Sequence, residues 1–269
     1  MVSPEFFDVE YAINPHMLNA AGELQKVDVA KAQSQWEKLR SSFESHGVRV
    51  HVVDGVRGLP DMVFAANQSF PFYKNGKLQF ALSRMKSSFR QAEVLHFKNL
   101  LLQQNTESYE PPQGCTFESM GDALWNYETQ EIFGGHGFRT DEVVYDWLAQ
   151  VTEAPVVKLK LVSEKFYHMD TALSILKRDS ALYVEEAFSS ESLDKLRMKF
   201  KNLIRVPLLE ADKFLAANAC CLDGETVFVE ENAIETQKLL KQNGFKIVTF
   251  DTSEFLKSGG SIFCLKLLY

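Results

Sequence analysis

Between Asp28 and His46, the apolar side chains Val29, Ala32, Trp36, Leu39 and Phe43 recur at intervals of three and four. That spacing gathers them on one face of a helix. Asp28 can cap its first turn and Gly47 can end it. Val48-Arg49-Val50-His51-Val52-Val53 then alternates apolar and polar positions, the period of a half-buried strand. The order returns late in the chain. Glu231 to Asn243 reads as helix, Gly244 as its stop and Phe245 to Phe250 as strand. Each copy ends in an aspartate, Asp54 or Asp251, seven residues past its glycine, which hints at an internally repeated fold.

Further strands are predicted at Lys77–Leu82, Val156–Val162, Thr171–Leu176, Ala181–Val184 and Thr226–Glu230. Helices are predicted at Ser87–Gln103, Asp141–Val151 and Ser190–Asn202. The last has Ser190 as N-cap and Leu193, Leu196 and Phe200 facing inward. The apolar run after Gly259-Gly260 reads as a closing strand, with Cys264 where a loop enters it. The glycines there would let a substrate approach the backbone. Strand and helix alternate without a linker or low-complexity tract, so residues 1–269 read as one mixed α/β domain.

Composition narrows the class of function. A hydrophobic content of 45% is ample for a core. A net charge of −7 argues against nucleic-acid or anionic-membrane partners. Met1 to Tyr11 carries Glu5, Asp8 and Glu10 and lacks the apolar core of a secretory signal. No apolar run approaches the ~20 residues of a membrane span. The 4 cysteines include adjacent Cys220 and Cys221 and show no Cys-x-x-Cys spacing, which fits neither a disulfide framework nor a zinc site. A cytoplasmic location is the expectation.

Five polar clusters interrupt the apolar pattern: Leu59-Pro60-Asp61-Met62-Val63-Phe64-Ala65-Ala66-Asn67, Phe117-Glu118-Ser119-Met120-Gly121-Asp122, Gly134-Gly135-His136-Gly137-Phe138-Arg139-Thr140, His168 with Asp170, and Cys264. Singly, each has an ordinary structural explanation: a turn, a bend, a solvated charge, a satisfied histidine, a small buried thiol. A cysteine with a distant histidine and an acid is also the composition of a nucleophilic site.

In this order the clusters resemble the guanidine-modifying superfamily of arginine deiminases, dimethylarginine dimethylaminohydrolases, amidinotransferases and arginine dihydrolases. The resemblance runs from Asn14 to the last residues. It implies the pentein fold, a five-bladed pseudo-fivefold α/β propeller. It implies Cys264 as nucleophile, His168 as general acid and base, and Glu118 as the acid supporting the histidine. The family's Glu-Gly-Gly-Asp loop here reads Glu-Ser-Met-Gly-Asp, with Asp122 as its last member. Arg139 matches an arginine that holds the substrate α-carboxylate. Arg90 resembles a second, with Arg84 close by as an alternative. Phe64, Asn67, Asp170 and Asn14 are the remaining substrate contacts implied.

The implied chemistry suits these residue types. A thiolate can attack the guanidinium carbon and leave again, carboxylates fix the guanidinium plane, and histidine protonates the departing amine before activating water. No cofactor or metal is required. Asn67 stands where deiminases and methylarginine hydrolases carry a guanidinium-binding aspartate, and Ala66 where the latter carry a glutamate. An amide can hold a neutral ureido group as well as a guanidinium. This resembles arginine dihydrolases, which attack twice and give ornithine, ammonia and carbon dioxide, as does the early Asn14-Pro15 segment. Dimethylarginine hydrolysis, simple deimination and amidino transfer remain open. So does a catalytically silent protein that binds an arginine-like ligand. A thiol protease has only the cysteine and histidine in its favour.

Overall fold

The computed structural model describes all of residues 1–269 and contains four three-stranded sheets. Helix α1 (Val29–Ser45) comes first. The first sheet unites β1 (Ser69–Lys74), β2 (Lys77–Leu82) and, after α2 (Gln91–Gln103), β3 (Glu107–Tyr109). The second unites β4 (Ala123–Asn126), β5 (Glu131–His136) and, after α3 (Val144–Thr152), β6 (Val156–Lys160). The third has β7 (Leu173–Lys177), β8 (Ser180–Tyr183) and, after α4 (Ser190–Lys199), β9 (Asn202–Arg205). Following α5 (Leu208–Phe214), the fourth has β10 (Cys220–Cys221), β11 (Thr226–Glu230) and, after α6 (Ile234–Gln242), β12 (Lys246–Phe250). Short α7 (Ser253–Leu256) precedes the C-terminal segment.

Every sheet follows one rule. Its first two strands pair antiparallel, and its third returns through a helix to pair parallel with the second. A parallel partner needs such a crossover, which is why each unit spends a helix there. The repeat expected from the two helix–Gly–strand copies is thus present, but as four sheets rather than a closed five-bladed propeller. Residues 48–53 do not form the predicted strand. Only Val53 bridges Val2, in parallel. Alternation supplies the two faces of a strand, but a strand also needs a neighbour along its length, and here the pairing is confined to Met1–Ser3.

Local chemistry explains most boundaries. Asp28 accepts from the Lys31 amide at 3.0 Å, and Ala32, Trp36, Leu39 and Phe43 are buried as predicted. Val29 lies off that face and is exposed. Ser189, not Ser190, caps α4, and the helix stops at Lys199. The predicted closing strand is absent. Residues 262–265 form a turn, because the Phe263 and Cys264 amides donate to the Asn218 side chain rather than to a ladder. No helix is long and apolar enough to cross a membrane.

Loss of the Asp28 cap should be measurable. Asp28→Ala is expected to cost about 1 kcal/mol, because an amide of the first turn loses its acceptor. Urea denaturation checks this, and a change below about 0.3 kcal/mol would show that water replaces the cap without loss.

Candidate active site

Three of the four units enter their first strand through a single turn of 3-10 helix: Ala65–Asn67, Ser119–Gly121 and Met169–Thr171. The residues capping these turns are Phe64, Glu118 and His168. A repeated backbone feature thus delivers three side chains, chemically unlike, to one place. The turns are tied together. Ser83 donates to the Asn67 carbonyl and shares a hydrogen bond with Ser119, and the Met169 amide donates to Asp122 Oδ1 at 3.0 Å. Ser119 has φ +47°, the left-handed region that favours glycine, and its bond to Ser83 helps hold it there.

The turns enclose a cavity of about 10 Å³, lined in part by Asn14, Phe64, Asn67, Arg90, Arg139, His168 and Cys264. Seven of the ten residues singled out in the sequence therefore line one cavity. The other three stand directly behind it. Glu118 Oε2 accepts from His168 Nε2 at 2.6 Å and from Arg139 Nη1 at 3.4 Å, and its Oε1 accepts from the Lys86 amide at 3.0 Å. Asp170 Oδ2 accepts from the Cys264 thiol at 3.0 Å. Asp122 accepts from the Thr140 hydroxyl at 2.6 Å as well as from the Met169 amide, so it braces the His168 turn from behind.

The two arginines are placed differently. Arg139 lies over the Tyr167 ring, 4.7 Å from its centroid, and donates to the Ile13 carbonyl at 2.6 Å. Arg90 is saturated within the protein. Its Nη2 pairs with Glu93 at 2.9 Å, and its Nη1 donates to Asn67 Oδ1 at 3.0 Å. Because arginine has only donors, this bond fixes which end of the Asn67 amide is oxygen. The Asn67 NH₂ group is then buried without a partner. Arg84 points elsewhere, to the carbonyls of Pro111, Pro112 and Cys115. Of the two neighbouring arginines, Arg90 is the one at the cavity.

The glycine pair serves packing and backbone shape. Gly259 has φ +80°, and its carbonyl accepts from the Tyr167 hydroxyl at 2.8 Å. A Cβ on Gly260 would fall 2.2 Å from the Phe64 ring, so only glycine lets the two segments meet.

Burial and charge set the ionisation states. Burial alone would push Glu118 up, but the His168 hydrogen bond and charge, with Arg139 and Arg90, hold it down to about 2. Burial pushes Asp122 up to about 6 and Asp170 up to about 7, the latter against the hydrogen bonds from Cys264 and Asn218. The Cys264 thiol is raised well above its ordinary value by burial and then by Asp170. Before anything binds, Cys264 is therefore a thiol hydrogen-bonded to a carboxyl group, not a thiolate. Two buried carboxyl oxygens have no partner, Asp61 Oδ2 and Asp170 Oδ1.

Three residues of this arrangement were given no role in the site by the sequence, although Asp61 stands in the first of the five clusters. Asp61 is 2% exposed and donates nothing; its Oδ1 accepts from Ser258 at 2.8 Å. The available signal was a charge set directly before the apolar run Met62–Ala66. Tyr167 adjoins His168 and stacks obliquely on it, with ring centroids 4.6 Å apart. Asn218 sits inside the small apolar run Ala216-Ala217-Asn218-Ala219, and its Nδ2 donates to Cys264 Sγ at 3.1 Å.

Comparison with known proteins assigns the chain to a family. The family model for eukaryotic N,N-dimethylarginine dimethylhydrolase matches residues 3–267. The bifunctional arginine dihydrolase/ornithine cyclodeaminase ArgZ of Synechocystis sp. is 33% identical over 99% of this chain. The match covers 37% of ArgZ, so the chain spans little more than a third of that relative's length. The N(G),N(G)-dimethylarginine dimethylaminohydrolase of Mycobacterium tuberculosis is 35% identical over 99% of this chain and 84% of its own. The solved N-terminal domain of ArgZ, a Cys→Ser variant bound to substrate, superposes with a TM-score of 0.91 at 32% identity, covering 99% of this chain and 96% of that one. With a family model that spans almost every residue and relatives a third identical along the whole chain, the chain belongs to the N,N-dimethylarginine dimethylhydrolase family.

Proposed function

We propose that this chain is a cysteine-dependent hydrolase of the arginine guanidino group, and specifically an arginine dihydrolase. The observation that carries the specific reading is the Asn67 amide. Arg90 holds its oxygen, so in a residue that lines the cavity of Cys264 the NH₂ group, packed against Gly121, is left without a partner. Such a group donates to a ureido carbonyl, which a carboxylate at that position would repel. We read the four sheets, with α1 and the Val2–Val53 bridge as a fifth and incomplete unit, as a pentein propeller. A cytoplasmic location and the absence of nucleic-acid and membrane partners remain part of this reading, on the acidic charge balance.

In the proposed reaction the guanidinium enters between Asp61 and Asp170, whose free oxygens accept its N–H groups. Its positive charge favours loss of the Cys264 proton, reversing the effect of burial. Thiolate attack on the guanidinium carbon forms a C–S bond. His168 protonates the departing nitrogen, and ammonia leaves. Water, deprotonated by His168, adds to the thiouronium carbon, and expulsion of the thiolate gives the ureido product. In a second round the thiolate attacks the ureido carbon, the C–N bond to the terminal nitrogen breaks as His168 protonates it, and ammonia leaves. Water then expels the thiolate, and the carbamate formed loses carbon dioxide to give ornithine. Over both rounds, one arginine and two waters become ornithine, two ammonia and one carbon dioxide. The cavity of about 10 Å³ is smaller than arginine, so part of its lining must move for entry. A substrate α-carboxylate would then take the place of the Ile13 carbonyl on Arg139. The family match and the mycobacterial relative favour one second reading, dimethylarginine hydrolysis to citrulline.

Mass spectrometry of the products decides between these readings. Wild-type protein with arginine should yield ornithine and ammonia, Asn67→Asp should shift the product toward citrulline, and Cys264→Ser should be inactive. Wild-type protein that stops at citrulline, or that acts only on methylated arginine, is not a dihydrolase.

Arg139→Ala should lower kcat/KM for arginine by about two to three decades, the value of a charge-assisted clamp of roughly 2–4 kcal/mol. Agmatine, which has no carboxylate, should lose much less. Equal losses for both compounds would remove Arg139 from carboxylate recognition.

Asp170 links the site to stability. Its folded pKa of about 7 lies above the usual carboxylate value, so the folded state holds a proton that the unfolded state has released. Stability therefore falls as pH rises from about 4 to about 7. Asp170→Asn should remove the Asp170 share of this slope and leave that of Asp122, which is also raised. The unliganded variant should gain up to about 4 kcal/mol at pH 8 and little at pH 4, while losing turnover. Urea denaturation at both pH values is the check, and an equal change at each would contradict the shifted ionisation.

A further inference from the structure

Three units enter their first strand through a 3-10 turn and the fourth through an ordinary turn at residues 216–217, and the residues two positions before β1, β4, β7 and β10 are Asn67, Gly121, Thr171 and Asn218. Asn67 belongs to the reading above. Asn218, its counterpart in the fourth unit, does not, yet it makes the densest set of bonds to the nucleophile. It is 1% exposed. Its Oδ1 accepts from the Phe263 amide at 3.0 Å and the Cys264 amide at 3.3 Å. Its own carbonyl accepts from the Phe263 amide at 3.2 Å. Its Nδ2 donates to the Asp170 carbonyl at 3.0 Å and to Cys264 Sγ at 3.1 Å.

These partners leave the amide no choice of orientation. Backbone N–H groups must meet its oxygen, so its NH₂ group faces the sulfur. Cys264 Sγ has two polar neighbours within hydrogen-bonding distance, Asp170 Oδ2 and Asn218 Nδ2. Of these two side chains only the amide can donate to the sulfur once the thiol proton has gone, adding to the Ser261 backbone, which also favours the thiolate. Asp170, the other, accepts from the thiol and opposes the thiolate when ionised.

We propose that Asn218 is a positioning residue that aims Cys264 Sγ at the cavity and stabilises its thiolate. This deepens the proposed hydrolase reading and rests on Cys264 being its nucleophile. The donor matters most in the second round, when the bound ureido group is neutral and brings no cation to favour the thiolate. The same amide ties the Cys264 turn to the Asp170 backbone, so the sulfur and its acidic neighbour move as one body.

The test reads the thiol itself and needs no substrate. Iodoacetamide is applied from pH 6 to pH 10, and the peptide carrying Cys264 is quantified by mass spectrometry, apart from those carrying the other cysteines. In this step the sulfur bonds to the reagent's methylene carbon, iodide leaves and the thiol proton passes to solvent. Asn218→Asp keeps the shape of the side chain and an oxygen for the Phe263 and Cys264 amides but removes the donor. Other charges facing Cys264 are unchanged: Asp170 in contact, Asp61, Arg90, Arg139 and His168 around the cavity, and Lys266 behind.

The expected result is alkylation of Cys264 about tenfold slower than in wild type across this range, where both proteins lie on the rising limb of the profile, with the other cysteines unchanged. Asn218→Ser, which introduces no charge, should move the profile the same way by a smaller amount, and it supplies the readout if the aspartate variant does not fold. A folded variant whose profile lies within about twofold of wild type overturns the proposal. The two readings separate cleanly. A shifted profile in a protein that hydrolyses no guanidino compound retains Asn218 and removes the hydrolase. Normal hydrolysis with an unshifted profile does the reverse.

Discussion

Glu118 is a carboxylate with no exposure to water, and the site depends on its remaining charged. Burying an unpaired carboxylate costs several kcal/mol. Here both oxygens are satisfied, by His168, Arg139 and the Lys86 amide. Because Glu118 only accepts, the proton between it and the histidine belongs to His168 Nε2. Nδ1 is therefore the nitrogen left free for the proton exchange proposed above. One buried ion thus fixes the tautomer and orientation of His168 and the position of Arg139.

The repeat makes this convergence economical. Phe64, Glu118 and His168 occupy the same position in three successive turns, so the backbone supplies the geometry and the sequence varies only the chemistry. Asp122, Thr140, Ser83 and Ser119 then lock the turns to one another. Short irregular loops on a packed scaffold would otherwise be mobile, and these cross-links are what make them rigid enough to hold reacting groups.

Much of this was legible in the sequence, for identifiable reasons. The α1 face and its Asp28 cap follow from periodicity and local hydrogen bonding, both of which are properties of adjacent residues. The strands Lys77–Leu82 and Thr226–Glu230 agree with the structure at both ends. Where the reading failed, a distant partner decided. Val48–Val53 has the alternation of a strand but lacks a neighbour along most of its length. The run after Gly260 is apolar enough for a strand, yet Asn218, remote in sequence, takes the amides of Phe263 and Cys264 and turns the chain instead. The resemblance carried Cys264, His168, Glu118 and Asn67 to one place, whereas Asp61 and Asn218 are ordinary residue types whose roles are visible only through contacts.

The ionisation states give the site a built-in order of events under the proposed chemistry. Burial raises both Asp170 and Cys264, so without a ligand Cys264 rests as a thiol and Asp170 keeps its proton up to about pH 7. A guanidinium between Asp61 and Asp170 supplies the missing positive charge, and the same step that binds substrate generates the nucleophile. Nonspecific thiol chemistry is thereby suppressed until a cation arrives. A neutral ureido intermediate forfeits that assistance. A second attack must draw on permanent features instead: the Asn67 NH₂ group for the carbonyl and the Asn218 NH₂ group for the sulfur. The difference between one round and two then lies in replacing charge brought by the substrate with dipoles fixed by the fold.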